Sequence, residues 1–229
     1  MIAKLDALSR VNSTVHHSIV APDSDHLMGM NEPSPHKNES AVASAARWHE
    51  YEKIANSFKP PLRLVSPAPG GLNLARGQTW LRDFFGACKG CRVDVVAVHF
   101  YECDGSTEET AEAAAQATIN FLDEAYANFG KPLWLTEFNC GDGDPADNKY
   151  ANQTKENHLR YMKAVLPKLE AHPHLERYSW FQTWQRNTPT HPGANPGCAL
   201  VTEDKSELTD LGRFYNSYQN LNEPQVHYT

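Results

Sequence analysis

The feature that most constrains this chain is an alternation: five short apolar runs, separated from one another by longer stretches with helical spacing. The runs are His26 to Met30, Leu62 to Ser66, Val93 to Phe100, Pro132 to Phe138 and Leu175 to Trp184. Between them, Glu39 to Phe58, Thr79 to Cys88, Thr107 to Phe129 and Thr154 to His172 carry Ala, Leu, Glu or aromatic residues at helical intervals. Strands alternating with helices predict an α/β fold, a parallel sheet with crossover helices. The last run opens into a Pro- and Gly-rich loop, Asn187 to Gly197, and Leu208 to Leu221 predicts a closing helix. No repeat, low-complexity tract or linker interrupts this order, so residues 1–229 read as a single domain.

Composition removes several functional classes. With 40% hydrophobic and 21% charged residues the chain can build a core, and disorder is excluded as its main state. A formal charge of −7 lacks the cationic surface that nucleic acids or anionic membranes require, so neither is an expected partner. No apolar run reaches the roughly 18 residues of a membrane span. Met1 to Arg10 carries charges where a signal peptide has its apolar region. Among the five cysteines, Cys88 and Cys91 form a C-x-x-C that suits a redox pair or half a zinc site. No second C-x-x-C or close His pair completes a zinc set, and no metal or cofactor is expected. Three N-x-[ST] triplets, at Asn12, Asn38 and Asn152, are compatible with a secreted or cell-wall protein.

Residues 26–221 hold about five strand–helix units of roughly 40 residues each. Eight units, a closed (β/α)8 TIM-type barrel, need about 250 residues or more. Only 25 residues precede the first strand, so such a barrel would be incomplete at its N-terminus, with five to six units present. An open sheet of this kind exposes strand edges, and self-association is the expected consequence. Upstream sequence encoding further strands and a secretion signal is expected on the same reading.

In parallel α/β folds functional residues gather where strands end, and these ends are polar. They read Asn31-Glu32-Pro33, Ser66-Pro67-Ala68, His99-Phe100-Tyr101, Thr136-Glu137-Phe138 and Trp180-Phe181-Gln182-Thr183-Trp184. A carboxylate beside a buried strand is costly unless it is hydrogen-bonded or used. Glu32 and Glu137 are two such carboxylates on different strands, the pair that glycoside hydrolysis needs as proton donor and nucleophile or base. The residues alone leave open that Glu32 caps the following helix and that Glu137 makes a buried ion pair. His99 and Tyr101 share a strand face by alternation, as do Trp180, Gln182 and Trp184. A satisfied core histidine and core tryptophans remain the alternatives there. Trp48 and Trp80 fall on helices and read as core, and the acidic loop Asp142 to Asp147 as solvated rather than calcium-binding.

Met28-Gly29-Met30-Asn31-Glu32-Pro33 resembles the Asn-Glu-Pro signature at the end of the fourth strand in retaining glycoside hydrolases of clan A. Leu133-Trp134-Leu135-Thr136-Glu137-Phe138 looks like their seventh-strand nucleophile motif. Further segments are, in order, similar to the fungal alkali-sensitive-linkage-protein-like enzymes of glycoside hydrolase family 128. These are Val65-Ser66-Pro67-Ala68, Trp80-Leu81, Cys88-Lys89-Gly90-Cys91-Arg92-Val93-Asp94, His99-Phe100-Tyr101 and Phe129-Gly130-Lys131-Pro132. The match runs from about residue 27 to 185.

The resemblance implies a (β/α)8-type fold and a retaining endo-β-1,3-glucanase acting on β-1,3-glucan without metal or cofactor. By the same resemblance Glu32 matches the acid/base, Glu137 the nucleophile, and Asn31 the residue that binds the sugar 2-hydroxyl. His99 and Tyr101 match polar residues at the sixth strand's end, and Trp180 matches a tryptophan at the cleft floor; Gln182 and Trp184, on the same face by alternation, are expected as further substrate contacts. The alternative is a non-catalytic glucan-binding or cell-wall-associated protein that kept the cleft and lost turnover.

Overall fold

A computed structural model describes residues 24–33, 39–70, 74–141, 153–184 and 196–218. The three N-x-[ST] asparagines, the acidic loop Asp142 to Asp147 and most of the loop Asn187 to Gly197 lie outside the described residues.

All five expected strands are present: β1 (His26–Met28), β2 (Arg63–Val65), β3 (Val96–Phe100), β4 (Leu133–Phe138) and β5 (Leu175–Trp180). So are the helices: α1 (Ala41–Asn56), α2 (Leu74–Ala87), α3 (Glu108–Phe129), α4 (Lys155–Glu170) and α5 (Asp210–Ser217). Ser40, Thr154 and Thr209 cap α1, α4 and α5, each side-chain oxygen accepting from a backbone N–H in the first turn. Two boundaries differ most from expectation. The α2 helix starts at Leu74 rather than Thr79 and runs through Gly77, a residue that costs an interior helix position about 1 kcal/mol. The β5 strand stops at Trp180, so alternation does not carry on to Gln182 and Trp184.

The chain divides into two compact units, each described by itself. The first comprises Met1–Phe100, Asn120–Phe138 and His174–Ser179 and contains the strands up to Ser179 of β5. β1 pairs with β2 and β3 with β4, both in parallel, β5 neighbours β4, and a parallel bridge between Val65 and Val95 links the two sheets. Spatial order therefore follows chain order, as short crossovers dictate.

Alternation sorts the side chains of this unit. Leu27, Leu64 and Val93 face α1 and α2, packing with Ala45, Trp48, Ile54 and Phe84. Val65, Val95, Ala97 and Trp134 form a separate cluster, with Met28 packed against it. Gly29 marks a close approach: a Cβ there would lie 2.7 Å from the Pro67 nitrogen and 2.9 Å from the Trp48 ring.

A charged network ties several strands together at their N-terminal ends. Arg63 makes two parallel hydrogen bonds to Glu176 at 3.0 and 2.9 Å, and the Trp134 indole N–H donates to the same carboxylate at 3.2 Å. Arg177 pairs with Asp25 at 3.1 Å, and Asp25 accepts from His26 at 2.6 Å. Burial pushes the Glu176 carboxyl up, but the hydrogen bonds from Arg63 and Trp134 and the Arg63 charge outweigh it and hold it below its ordinary value. A lowered carboxyl contributes stability above its unfolded value, about 4.3, that is lost as pH falls through the folded value. Arg63 and Glu176 are 41% and 35% exposed, so screening limits the pair to about 1 kcal/mol. Glu176→Gln is expected to lower Tm by about 2 to 4 °C at pH 7 and by less at pH 3, as thermal melts would show.

The second unit comprises Tyr101–Ile119, Asn139–Pro173 and Trp180–Thr229. Here the buried Tyr161 hydroxyl bonds to Thr118 at 2.7 Å, and α4 packs on α5. A disulfide joins Cys103 and Cys140, and Cys198 is a buried free thiol. In the first unit Cys88 and Cys91 are bonded to each other, which removes the half zinc site that their spacing also allowed. Among the described residues no helix is long and apolar enough to cross a membrane.

Candidate active site

Glu32 reaches its place through an extension of the β1–β2 ladder. Ala68 N–H donates to the Met30 carbonyl at 2.9 Å, Glu32 N–H donates to the Ala68 carbonyl at 2.8 Å, and Asn31 bridges to Ala68 in parallel. Ser40, not Glu32, caps α1, so the capping role that the sequence left open is not the one Glu32 plays. The Glu32 backbone has φ of +46°, a left-handed conformation that costs a residue with a Cβ of order 1–3 kcal/mol. Beside it, a Cβ on Gly70 would lie 3.1 Å from each of the Glu32 side-chain carbons. The missing side chain at Gly70 makes the groove in which Glu32 lies. The Pro69-Gly70 pair is the sequence signal for that groove.

Glu137 is placed by an irregularity. Val96, Ala97 and Val98 pair with Leu133, Trp134 and Leu135, but His99 pairs with Glu137 because Thr136 is an extra residue in β4. Strict alternation would set Glu137 on the face of Leu133 and Leu135, both fully buried. The extra residue re-aims it to the face of Ala97 and His99, a common use of such irregularities beside active sites. The Thr136 hydroxyl meanwhile donates to the Val98 carbonyl at 3.3 Å.

His99 brings the two carboxylates together. Its Nδ1 lies 3.2 Å from Glu32 Oε1 and 3.6 Å from Glu137 Oε2, and its side chain is 2% exposed. The Glu32 and Glu137 side chains are 43% and 16% exposed. One ligand atom from each of the three residues falls within 4.8 Å of the others. Since both facing groups are carboxylates, the Nδ1–H acts as donor between them. A second carboxyl group this close, with a buried donor between, supports proton transfer by one and attack by the other. The same three residues are the group among those described that offers donor atoms for a metal ion.

The other expected site residues divide between the two units. Asn31 is half-buried next to Glu32. Tyr101, Trp180, Gln182 and Trp184 belong to the second unit. Tyr101 is buried with its ring edge-on to Phe181. Trp180 is 4% exposed, donates its indole N–H to the Cys198 carbonyl at 2.8 Å and packs beside the rings of His158 and Tyr161. Gln182 and Trp184 are half-buried, and Trp184 donates to the Glu203 carbonyl at 2.8 Å beneath the Lys205 ammonium, 4.0 Å from its ring centre. Trp180 and Trp184 thus present different surroundings rather than one aromatic strip.

An α/β scaffold carrying two glutamates and a histidine at strand ends fits a glycoside hydrolase, and the relatives establish that class. The family described as Glycosyl hydrolase catalytic core matches residues 3–215. Alkali-sensitive linkage protein 1 of Schizosaccharomyces pombe is 31% identical over 215 residues, covering 90% of this chain and 35% of that protein, so the chain spans about a third of that relative's length. A solved endo-β-1,3-glucanase of glycoside hydrolase family 128, subgroup II, from Sorangium cellulosum is 30% identical with a TM-score of 0.72, over 93% of this chain and 78% of that one. A subgroup I endo-β-1,3-glucanase from Amycolatopsis mediterranei, solved in complex with laminaripentaose, shares the fold at 23% identity and a TM-score of 0.65, over 84% of this chain and 72% of that one. The chain belongs to the glycosyl hydrolase catalytic core family and, within it, to glycoside hydrolase family 128.

Proposed function

We propose that the chain is a retaining endo-β-1,3-glucanase, with Glu137 as nucleophile and Glu32 as acid/base. The observation that carries this reading is the approach of the two carboxylates to within 4.8 Å around His99. Retaining glycosidases hold their carboxyl groups about 5 to 5.5 Å apart, and inverting ones leave a wider gap for water. The difference in exposure supports the roles. The less exposed Glu137 suits attack on the anomeric carbon, and the more exposed Glu32 suits exchange of protons with a leaving group and with water.

In the first step a Glu137 oxygen bonds to the anomeric carbon as the glycosidic C–O bond breaks, and Glu32 gives its proton to the leaving oxygen. In the second, Glu32 takes a proton from water, the hydroxide oxygen bonds to the anomeric carbon, and Glu137 leaves as carboxylate. His99, donating into the space between them, steadies whichever carboxylate is charged. Asn31, next to Glu32, is the 2-hydroxyl contact. The strands are proposed to belong to a (β/α)8-type barrel and residues 1–229 to serve as one catalytic domain, supported by one continuous family match over residues 3–215. Two disulfides favour an oxidising, secreted or cell-wall location.

Release of reducing ends from laminarin tests the activity, and binding of laminarin without release would favour a glucan-binding protein instead. Positioning by Gly70 is tested separately. Gly70→Ala pushes on three carbons of Glu32, and is expected to lower kcat about tenfold with KM little changed. An unchanged kcat in a folded variant would show that Glu32 relaxes freely.

A further inference from the structure

We propose that Glu32, His99 and Glu137 also form an inhibitory site for a borderline divalent cation such as Zn2+, which ties up both carboxylates and closes the enzyme to glucan. Inhibition rests on the hydrolytic reading above, whereas metal binding stands on the geometry alone.

Zinc bound by imidazole and carboxylate at about 2.0 to 2.2 Å sets tetrahedral ligand atoms about 3.3 Å apart. Two of the three edges are already 3.2 and 3.6 Å, from His99 Nδ1 to Glu32 and to Glu137. The third, between the carboxylates, is within 4.8 Å, and the half-exposed Glu32 side chain has room to close it. Exposed acidic groups commonly gather without holding an ion. Here an imidazole with 2% exposure points its Nδ1 between them, a donor fixed in place before any metal arrives. Two carboxylates and a neutral imidazole balance a dication. One nitrogen and two oxygens suit Zn2+ or Co2+ better than Ca2+ or Mg2+, which need six or more oxygens or near-octahedral water-rich shells. A water molecule would fill the fourth position. Binding needs the ring proton on Nε2 and both carboxylates charged, so the proton that the carboxyl pair holds leaves to solvent, and affinity falls as pH is lowered.

Zinc chloride titrated into the EDTA-treated, dialysed chain, followed by calorimetry, tests the proposal. One ion per chain is expected, with proton release visible as a buffer-dependent heat. Glu32→Gln, Glu137→Gln and His99→Asn should each weaken binding tenfold or more. Laminaripentaose should raise the apparent Kd for zinc, and cobalt chloride should give a visible absorption band that the same variants lose. Absence of saturable binding, or binding unchanged in the variants, overturns the site. The near-isosteric glutamine variants carry the test even if His99→Asn fails to fold. Zinc binding by a chain that hydrolyses no glucan would uphold the site and overturn the glucanase reading. Metal-free hydrolysis without zinc binding would do the reverse.

Discussion

Glu137→Gln is expected to lower kcat on laminarin by more than about 10⁴-fold, the scale on which loss of a covalent nucleophile is felt. Glu32→Gln should cost about 10² to 10⁴, the usual worth of a positioned acid/base. Both substitutions trade a carboxyl for an amide of the same shape at partly exposed positions, so melting temperatures should stay close to the parent's. The two roles separate by added azide. In Glu137→Ala, azide occupies the vacated face and attacks once, giving the α-glycosyl azide. In Glu32→Ala, the glycosyl-enzyme still forms and azide replaces water in the second step, giving the β-product. Rescue with the two stereochemistries exchanged would exchange the assignments, and full activity in either glutamine variant would end them.

The largest stability effect is expected at Trp48. It has no solvent exposure, stacks on Tyr51 with centroids 4.9 Å apart, meets the Phe84 edge at 5.4 Å and donates its indole N–H to the Arg92 carbonyl at 2.9 Å. The backbone at Gly29 packs so close that the ring fills the space between β1 and α1. Trp48→Ala should destabilise by about 3 to 5 kcal/mol, since the surrounding helices and strands cannot collapse into a cavity of that size. That corresponds to a Tm fall of about 10 °C or more. Trp48→Phe keeps most of the ring but orphans the Arg92 carbonyl, and should cost about 1 to 3 kcal/mol. A Trp48→Ala chain melting within a degree or two of the parent would contradict the packing described.

The strands and helices were legible because their apolar spacing is regular and the caps are ordinary Ser and Thr residues. Glu32 and Glu137 were legible as polar residues closing apolar runs, but their geometry was not. Alternation counts residues and cannot register the extra Thr136 that turns Glu137 toward His99. Nor does it reveal the left-handed backbone at Glu32, which Gly70 accommodates from a different strand end. The same counting failed in the opposite direction at Trp180, Gln182 and Trp184, because β5 ends before the second of them. The Cys103–Cys140 bond could not be read from five cysteines. In the structure it follows from neighbouring strands, since each cysteine lies two or three residues beyond the end of β3 or β4.

The anomeric configuration of the first-formed product tests the central claim most directly. Proton NMR of a laminari-oligosaccharide during the first minutes of hydrolysis, before mutarotation, distinguishes the two stereochemical courses. Double displacement through Glu137 and Glu32 predicts the β-anomer first, with the α-anomer growing in only as the sugar equilibrates. An α-anomer appearing first would show single displacement by water and contradict the assignment of Glu137 as nucleophile.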